Sequence, residues 1–309
     1  MGNVYLAKDK ILADLELAVK VLHSEHIRNE THIKRFLREM ELMQEVQHQN
    51  VVRTYDISTS GELFYYTMEY VQGDSLDEQL EGESFNQAHL TQVITQLCEG
   101  VDAIHEKEII HRDLKPDNIM FLADYTVKII DFGVARPLIS DLTSHNEIVG
   151  SAPYLAPEVW LGKPLTKAVD FYSLGVTLYE TLLGERPFQA ETPAGMMSLH
   201  LEKTPLPPKA LDPHISHWLS SLVLRLLEKN PEQRFQSGEE IKAFIEKYSS
   251  NGLTPSGEDI GENEKMAADL LSQLEERSQR LISESEFKEP SVTRSINRPK
   301  RKLFRWWRK

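Results

Sequence analysis

One octet near the middle of the chain, His111-Arg112-Asp113-Leu114-Lys115-Pro116-Asp117-Asn118, sets a carboxylate, a lysine and an asparagine within one short segment. Asp131-Phe132-Gly133 follows, and then Ala156-Pro157-Glu158. Far upstream, Lys20 interrupts the apolar run from Leu17 to Leu22, and Glu39 stands in an amphipathic stretch. These residue types suit chemistry on a polyanion. Asp131 and Asn118 offer hard oxygen atoms of the kind Mg²⁺ takes, Lys20 and Lys115 offer cations, and Asp113 offers a proton acceptor. Singly, each motif has an ordinary explanation: an Asp-Phe-Gly is often only a turn, and a lysine on a strand is often a solvated edge. Their order and spacing together carry the argument.

The elements that must position these residues are legible in the periodicity. Residues 4–7 and 15–22 read as strands, with the turn-like Lys8-Asp9-Lys10 between them. From about Glu30 to Gln47, apolar residues at Ile33, Phe36, Leu37, Met40 and Met43 recur at helical spacing. Two more strands are expected over 51–57 and 63–71. Beyond Gly73 the pattern is mostly helical to about Tyr248, interrupted by short apolar runs near 109–110 and 127–130. A small β-rich lobe (about 1–71) thus precedes a large helical lobe (about 72–248). Residues 249–263 read as a Ser/Gly/acid-rich linker, 264–287 as an amphipathic helix, and 288–309 as a basic aromatic tail.

The three motifs match, in order, the catalytic-loop, metal-binding and activation-segment motifs of protein kinases. Over residues 1–248 the chain resembles the protein kinase superfamily, and the lead-in Gly-Asn-Val-Tyr-Leu-Ala-Lys-Asp (2–9) looks most like its bacterial, eukaryotic-like serine/threonine members. The resemblance implies an α+β, bilobal fold and transfer of the γ-phosphate of ATP, with Mg²⁺ (or Mn²⁺), to Ser/Thr hydroxyls of proteins. It casts Asp113 as the residue that orients and deprotonates the hydroxyl, and Lys115 as the cation for the transferred phosphoryl group. Lys20 would meet the α- and β-phosphates, with Glu39 as its carboxylate partner. Glu45 lies on the same helix, whereas Glu41 is rotated about 200° from Glu39. Asn118 and Asp131 would hold the metal. Gly2, Val4, Ala18, Met68 (as gatekeeper), Glu69, Val71 and Met120 would surround the nucleotide. The resemblance also suggests a structural aspartate in Asp170, an ion pair of Glu158 with Arg234, and a Ser151 bridge between Asp113 and Lys115. Arg112 would meet a phosphate on the activation segment, with Thr143 as the candidate autophosphorylation site.

The front departs from the family. Of the Gly-x-Gly-x-x-Gly-x-Val phosphate lid only Gly2-Asn3-Val4 stands here, behind Met1, so the first strand and two glycines are expected to be missing. Either the start is assigned too late, the favoured explanation, or half the lid is absent. The alternative function is then a pseudokinase or scaffold, against which the intact Lys20, Glu39, Asp113, Asn118 and Asp131 weigh.

Composition bounds the rest. The formal net charge of -13 hides a segregation: residues 288–309 hold nine Lys/Arg against the single acid Glu289, +8, which leaves -21 for residues 1–287. An acidic body does not suit nucleic acid. The tail, with Phe304, Trp306 and Trp307 among its bases, suits an anionic membrane surface. A single cysteine, Cys98, excludes an internal disulfide. No run approaches a spanning length. A cytoplasmic protein is expected; attachment of the tail to the inner face of a membrane is one hypothesis, beside docking on the acidic kinase body, binding an acidic partner, or a disordered solubilising tail.

Overall fold

The structure is a computed structural model that describes residues 2–9, 15–22, 30–60, 63–80, 87–132, 150–249, 255, 261–266 and 272. Strands β1 (Gly2–Lys8), β2 (Glu16–Leu22), β3 (Thr54–Ser60) and β4 (Leu63–Glu69) form an antiparallel sheet in the order β1-β2-β4-β3. Helix α1 (Glu30–Gln44) lies between β2 and β3 in the chain and turns Met40 and Met43 into the core. The expected strand over 51–57 begins only at Thr54. Val51 instead makes a bridge to Ile129, with Val52 N–H donating to the Ile129 carbonyl (2.9 Å).

A second small sheet of β5 (Asp74–Ser75), β6 (Ile119–Phe121) and β7 (Val127–Ile129) follows the central octet directly at β6 and leads through β7 to Asp131. Around it pack α2 (Leu76–Leu80), α3 (Gln87–Glu106), α4 (Pro157–Trp160), α5 (Ala168–Leu183), α6 (Pro193–Glu202), α7 (Pro208–Leu211), α8 (His217–Leu226) and α9 (Gly238–Ser249). Helix α5 is apolar nearly all round, and every residue from Ala168 to Tyr179 is buried, as befits a central helix. Gly175 lets α8 approach, since a Cβ there would meet Leu226 Cβ at 2.7 Å. The N-terminus of α9 has its amides met by α3, where Asp102 accepts from Gly238 N–H (2.7 Å) and Glu239 N–H (2.9 Å).

The expected 249–263 linker differs at both ends, since Ser249 closes α9 and residues 262–266 are helical and touch the large lobe. Asn263 N–H donates to Glu228 (2.7 Å), and Ser221 donates to Glu264 (2.7 Å). The expected 264–287 helix otherwise falls outside the described residues apart from Ser272, as does the 288–309 tail. No helix among the described residues is long and apolar enough to cross a membrane.

Two buried polar groups yield tests of this packing. Arg234 and Glu158 form a bidentate pair (2.7 and 2.8 Å) with almost no exposure. Glu158→Ala strands the guanidinium and should cost about 3–5 kcal/mol of stability, read as a lower urea midpoint. His200 is buried, with its Nδ1 2.8 Å from the Tyr172 hydroxyl. Burial, aided by Lys229 and opposed by the Pro153 carbonyl, pushes its pKa from 6.5 down to about 3. Because the folded state holds it neutral, its contribution is complete above pH 6.5 and is lost as pH falls toward 3. Glu228, raised to about 7 chiefly by burial, works in the opposite sense over pH 4.5–7. Comparison of urea midpoints at pH 7 and 5 isolates the imidazole: His200→Gln should lose less stability on acidification than the unmodified protein.

Candidate active site

The register of β2 against β4 sets the roof of the site. Ala18 lies opposite Met68 and Lys20 opposite Tyr66, so side chains at these positions share one face of the sheet. All four are buried. Strand β1 adds Val4 opposite Lys20, with Leu6 opposite Ala18. Both are apolar and largely exposed, which suits a surface that covers a planar ring. Gly2 lies so close to β2 that a Cβ would meet the Val21 carbonyl oxygen at 1.8 Å. Glu69 closes β4; its N–H donates to the Arg53 carbonyl (2.8 Å), and its carboxylate pairs with Lys128 (3.0 Å). Val71 packs half-buried just after β4, and Met120 is half-buried on β6.

The catalytic loop is held from beneath by Asp170 of α5. Its carboxylate, 0% exposed, accepts from the backbone N–H groups of His111 and Arg112 and meets His105 Nε2, all at 2.8 Å. Burial alone would raise its pKa, but His105, the nearby His111 ring and the Arg112 amide hold the carboxyl below the usual value. Arg112 is thereby kept at φ 65°, in the left-handed region. His111 Nδ1 accepts from Asp113 N–H (3.3 Å), which assigns the proton to Nε2, 3.2 Å from the Ile130 carbonyl. Burial lowers the pKa of this imidazole, in keeping with that neutral tautomer.

Asp113 is buried, and its Oδ1 accepts from Ser151 Oγ (2.8 Å), one arm of the expected bridge. The other arm differs, since Lys115 pairs with Asp117 (3.5 Å). Asn118 Nδ2 donates to the Asp113 carbonyl (2.7 Å), which leaves its hard Oδ1 for a cation. Ile130 N–H donates to the Asn118 carbonyl (2.9 Å) and so ties Asn118 to the residue preceding Asp131. Phe132 packs on the His111 ring, with centroids 4.8 Å apart. Gly133, Thr143 and most of the activation segment fall outside the described residues.

The charge pairs are crossed relative to expectation. Lys20 Nζ pairs with Asp131 Oδ1, not with Glu39. Glu39 Oε1 instead meets Arg112 Nη1 at 3.4 Å. The physical reason is that a buried charge must be compensated. The carboxylate within reach of the Lys20 ammonium is Asp131, while α1 presents Glu39 to the catalytic-loop guanidinium. Tyr66, which sequence reasoning passed over, donates to the same Asp131 Oδ1 (3.4 Å). Its position two residues before Met68 on a strand was the signal that could have found it. An ATP–metal complex fits these residues: an apolar face, two lysines, and hard oxygen donors at Asn118 and Asp131. Among the described residues no group of three or more His, Cys, Asp or Glu could hold a metal alone, so phosphate oxygens would have to complete the coordination.

Comparison with known proteins accords with this geometry. The protein kinase domain family matches residues 1–244. Serine/threonine-protein kinase PrkC of Bacillus subtilis is 30% identical over 309 residues, which covers 99% of this chain and 48% of that protein. Serine/threonine-protein kinase PknB of Mycobacterium tuberculosis is 36% identical over 263 residues, 82% of this chain and 42% of that one. The chain therefore spans less than half the length of these curated relatives. The crystal structure of the Mycobacterium tuberculosis PknI kinase domain superposes with a TM-score of 0.65 at 22% identity, covering 81% of this chain and 91% of that one, and attests the fold. Fold, motif order and sequence similarity agree: the chain belongs to the protein kinase family.

Proposed function

We propose that this chain is a protein serine/threonine kinase that uses Mg-ATP. The observation that supports it most is the joining of Asp113, Asn118 and Asp131 into one unit by the Asn118 Nδ2–Asp113 carbonyl and Ile130 N–H–Asn118 carbonyl bonds. In this reading Asp113 accepts the proton of a Ser or Thr hydroxyl as its oxygen bonds to the γ-phosphorus and the bond to the β-phosphate oxygen breaks. Lys115 meets the transferred group, and Lys20 meets the α- and β-phosphates. Asn118 and Asp131 hold the cation, which when bound offsets the phosphate charge; Mn²⁺ is an alternative to Mg²⁺. Val4, Ala18, Met68, Val71 and Met120 enclose the adenine, with backbone from Glu69 onward reading its edge and Gly2 beneath the phosphates.

Turnover in this scheme requires the two charge pairs to be exchanged. Lys20 leaves Asp131 for phosphate, and Glu39 leaves Arg112 for Lys20. A phosphate on Thr143 would offer Arg112 a bidentate partner and so favour that exchange. Protein substrates and the chain itself are thus the proposed acceptors. Incubation with γ-³²P-ATP and Mg²⁺ should label the protein, with mass spectrometry locating phosphate at Thr143, while Asp131→Ala takes no label. Equal label in both proteins would refute catalysis and favour the pseudokinase or scaffold reading.

For the 288–309 tail we propose contact with an anionic membrane surface, which would set the kinase at the cytoplasmic face. Nine bases interleaved with Phe304, Trp306 and Trp307 support it. The full chain should sediment with phosphatidylserine-containing vesicles and a chain ending at 287 should not; equal sedimentation overturns the assignment.

A further inference from the structure

Tyr66 has a place in the site that no kinase motif assigns. The β2–β4 register sets it directly opposite Lys20, and it is 6% exposed. A buried phenol is ordinarily held by a hydrogen bond. Here the hydroxyl donates to Asp131 Oδ1 at 3.4 Å, the same oxygen that Lys20 contacts. The two ends of this bond differ in rigidity. Tyr66 sits within a strand paired on both sides, whereas Asp131 lies just past β7 at φ 61°, in the left-handed region. A fixed donor therefore holds one oxygen of a carboxylate whose backbone is not part of a sheet. Among the described residues no partner is seen for Oδ2, the second oxygen.

We propose that Tyr66 is a positioning residue for the metal-binding carboxylate, its hydroxyl holding Asp131 Oδ1 so that Oδ2 is left for the divalent cation. This rests on the reading of Asp131 as a metal ligand. It also supplies what the exchange of charge pairs requires. When Lys20 moves to phosphate, Asp131 loses its cation partner, and Tyr66, anchored in the sheet, retains the other bond to Oδ1. The hydroxyl thus acts on metal affinity rather than on proton transfer at Asp113.

The test uses the full chain with the nonhydrolysable ATP analogue AMP-PNP and Mn²⁺, read by the electron spin resonance of immobilised Mn²⁺. Tyr66→Phe should raise the Mn²⁺ concentration for half-saturation about tenfold, the lower end for a hydrogen bond to a charged group. Its kcat at saturating metal should stay within about threefold, and its thermal midpoint near that of the unmodified protein. Asp131→Asn should abolish the immobilised signal. If Tyr66→Phe binds Mn²⁺ like the unmodified protein while Asp131→Asn does not, the role of Tyr66 is overturned and the metal reading stands. If Asp131→Asn also binds normally, both fall. Should Tyr66→Phe fail to fold, Tyr66→His against Tyr66→Leu repeats the contrast between a retained and a deleted donor, and equal Mn²⁺ affinities of that pair would overturn the role.

Discussion

A carboxylate removed from water remains charged only if its oxygens are saturated, and Asp170 meets that condition by gripping the octet His111–Asn118. Its oxygens take the amides of His111 and Arg112, with His105 beside them. Because α5 is buried from Ala168 to Tyr179, this grip ties the octet to the close-packed interior of the large lobe. The left-handed backbone at Arg112 is held by it, whereas the His111 tautomer is set by the Asp113 N–H and the Ile130 carbonyl. Without these bonds the loop would need other partners for two buried amides, and the guanidinium would lose its direction toward α1.

Above the loop, electrostatics rather than covalent order sets the state of the site. Four charges lie near one another: Lys20, Asp131, Glu39 and Arg112. Two ion pairs join them, Lys20 with Asp131 and Arg112 with Glu39. An anion that binds one of these cations better than its present carboxylate partner would bias the pairing. In the proposed function, a phosphate on the activation segment would be such an anion for Arg112, and the phosphates of a nucleotide would be such anions for Lys20.

Much of the fold was legible in the chain. The strand and helix boundaries of the small lobe lie within a few residues of those expected from alternation and 3.6-residue periodicity. The strand expected from Val51 starts late because Val51 and Val52 are drawn to Ile129 of β7, a long-range contact that alternation cannot reveal. Asp113, Asn118 and Asp131 were legible because their motifs are short and ordered, and the structure joins them through the backbone of the loop and β7. Tyr66 was not, because an aromatic residue on a strand ordinarily reads as core; only the cross-strand register shows that its hydroxyl reaches a carboxylate.

The division between the two kinds of information has a physical basis. Sequence alone determined which groups have the chemistry to suit phosphate, cation and proton, because residue identity and local spacing specify chemical type and the loop or strand that bears it. Partnership was decided by tertiary structure. Lys20 and Asp131 are 111 residues apart, Arg112 and Glu39 are 73, and Tyr66 and Asp131 are 65. At such separations the partner depends on where α1 and the sheet come to rest over the loop, and on which of several nearby opposite charges is closest once water is excluded. Motifs name the participants in a charge cluster, while packing selects the pairs.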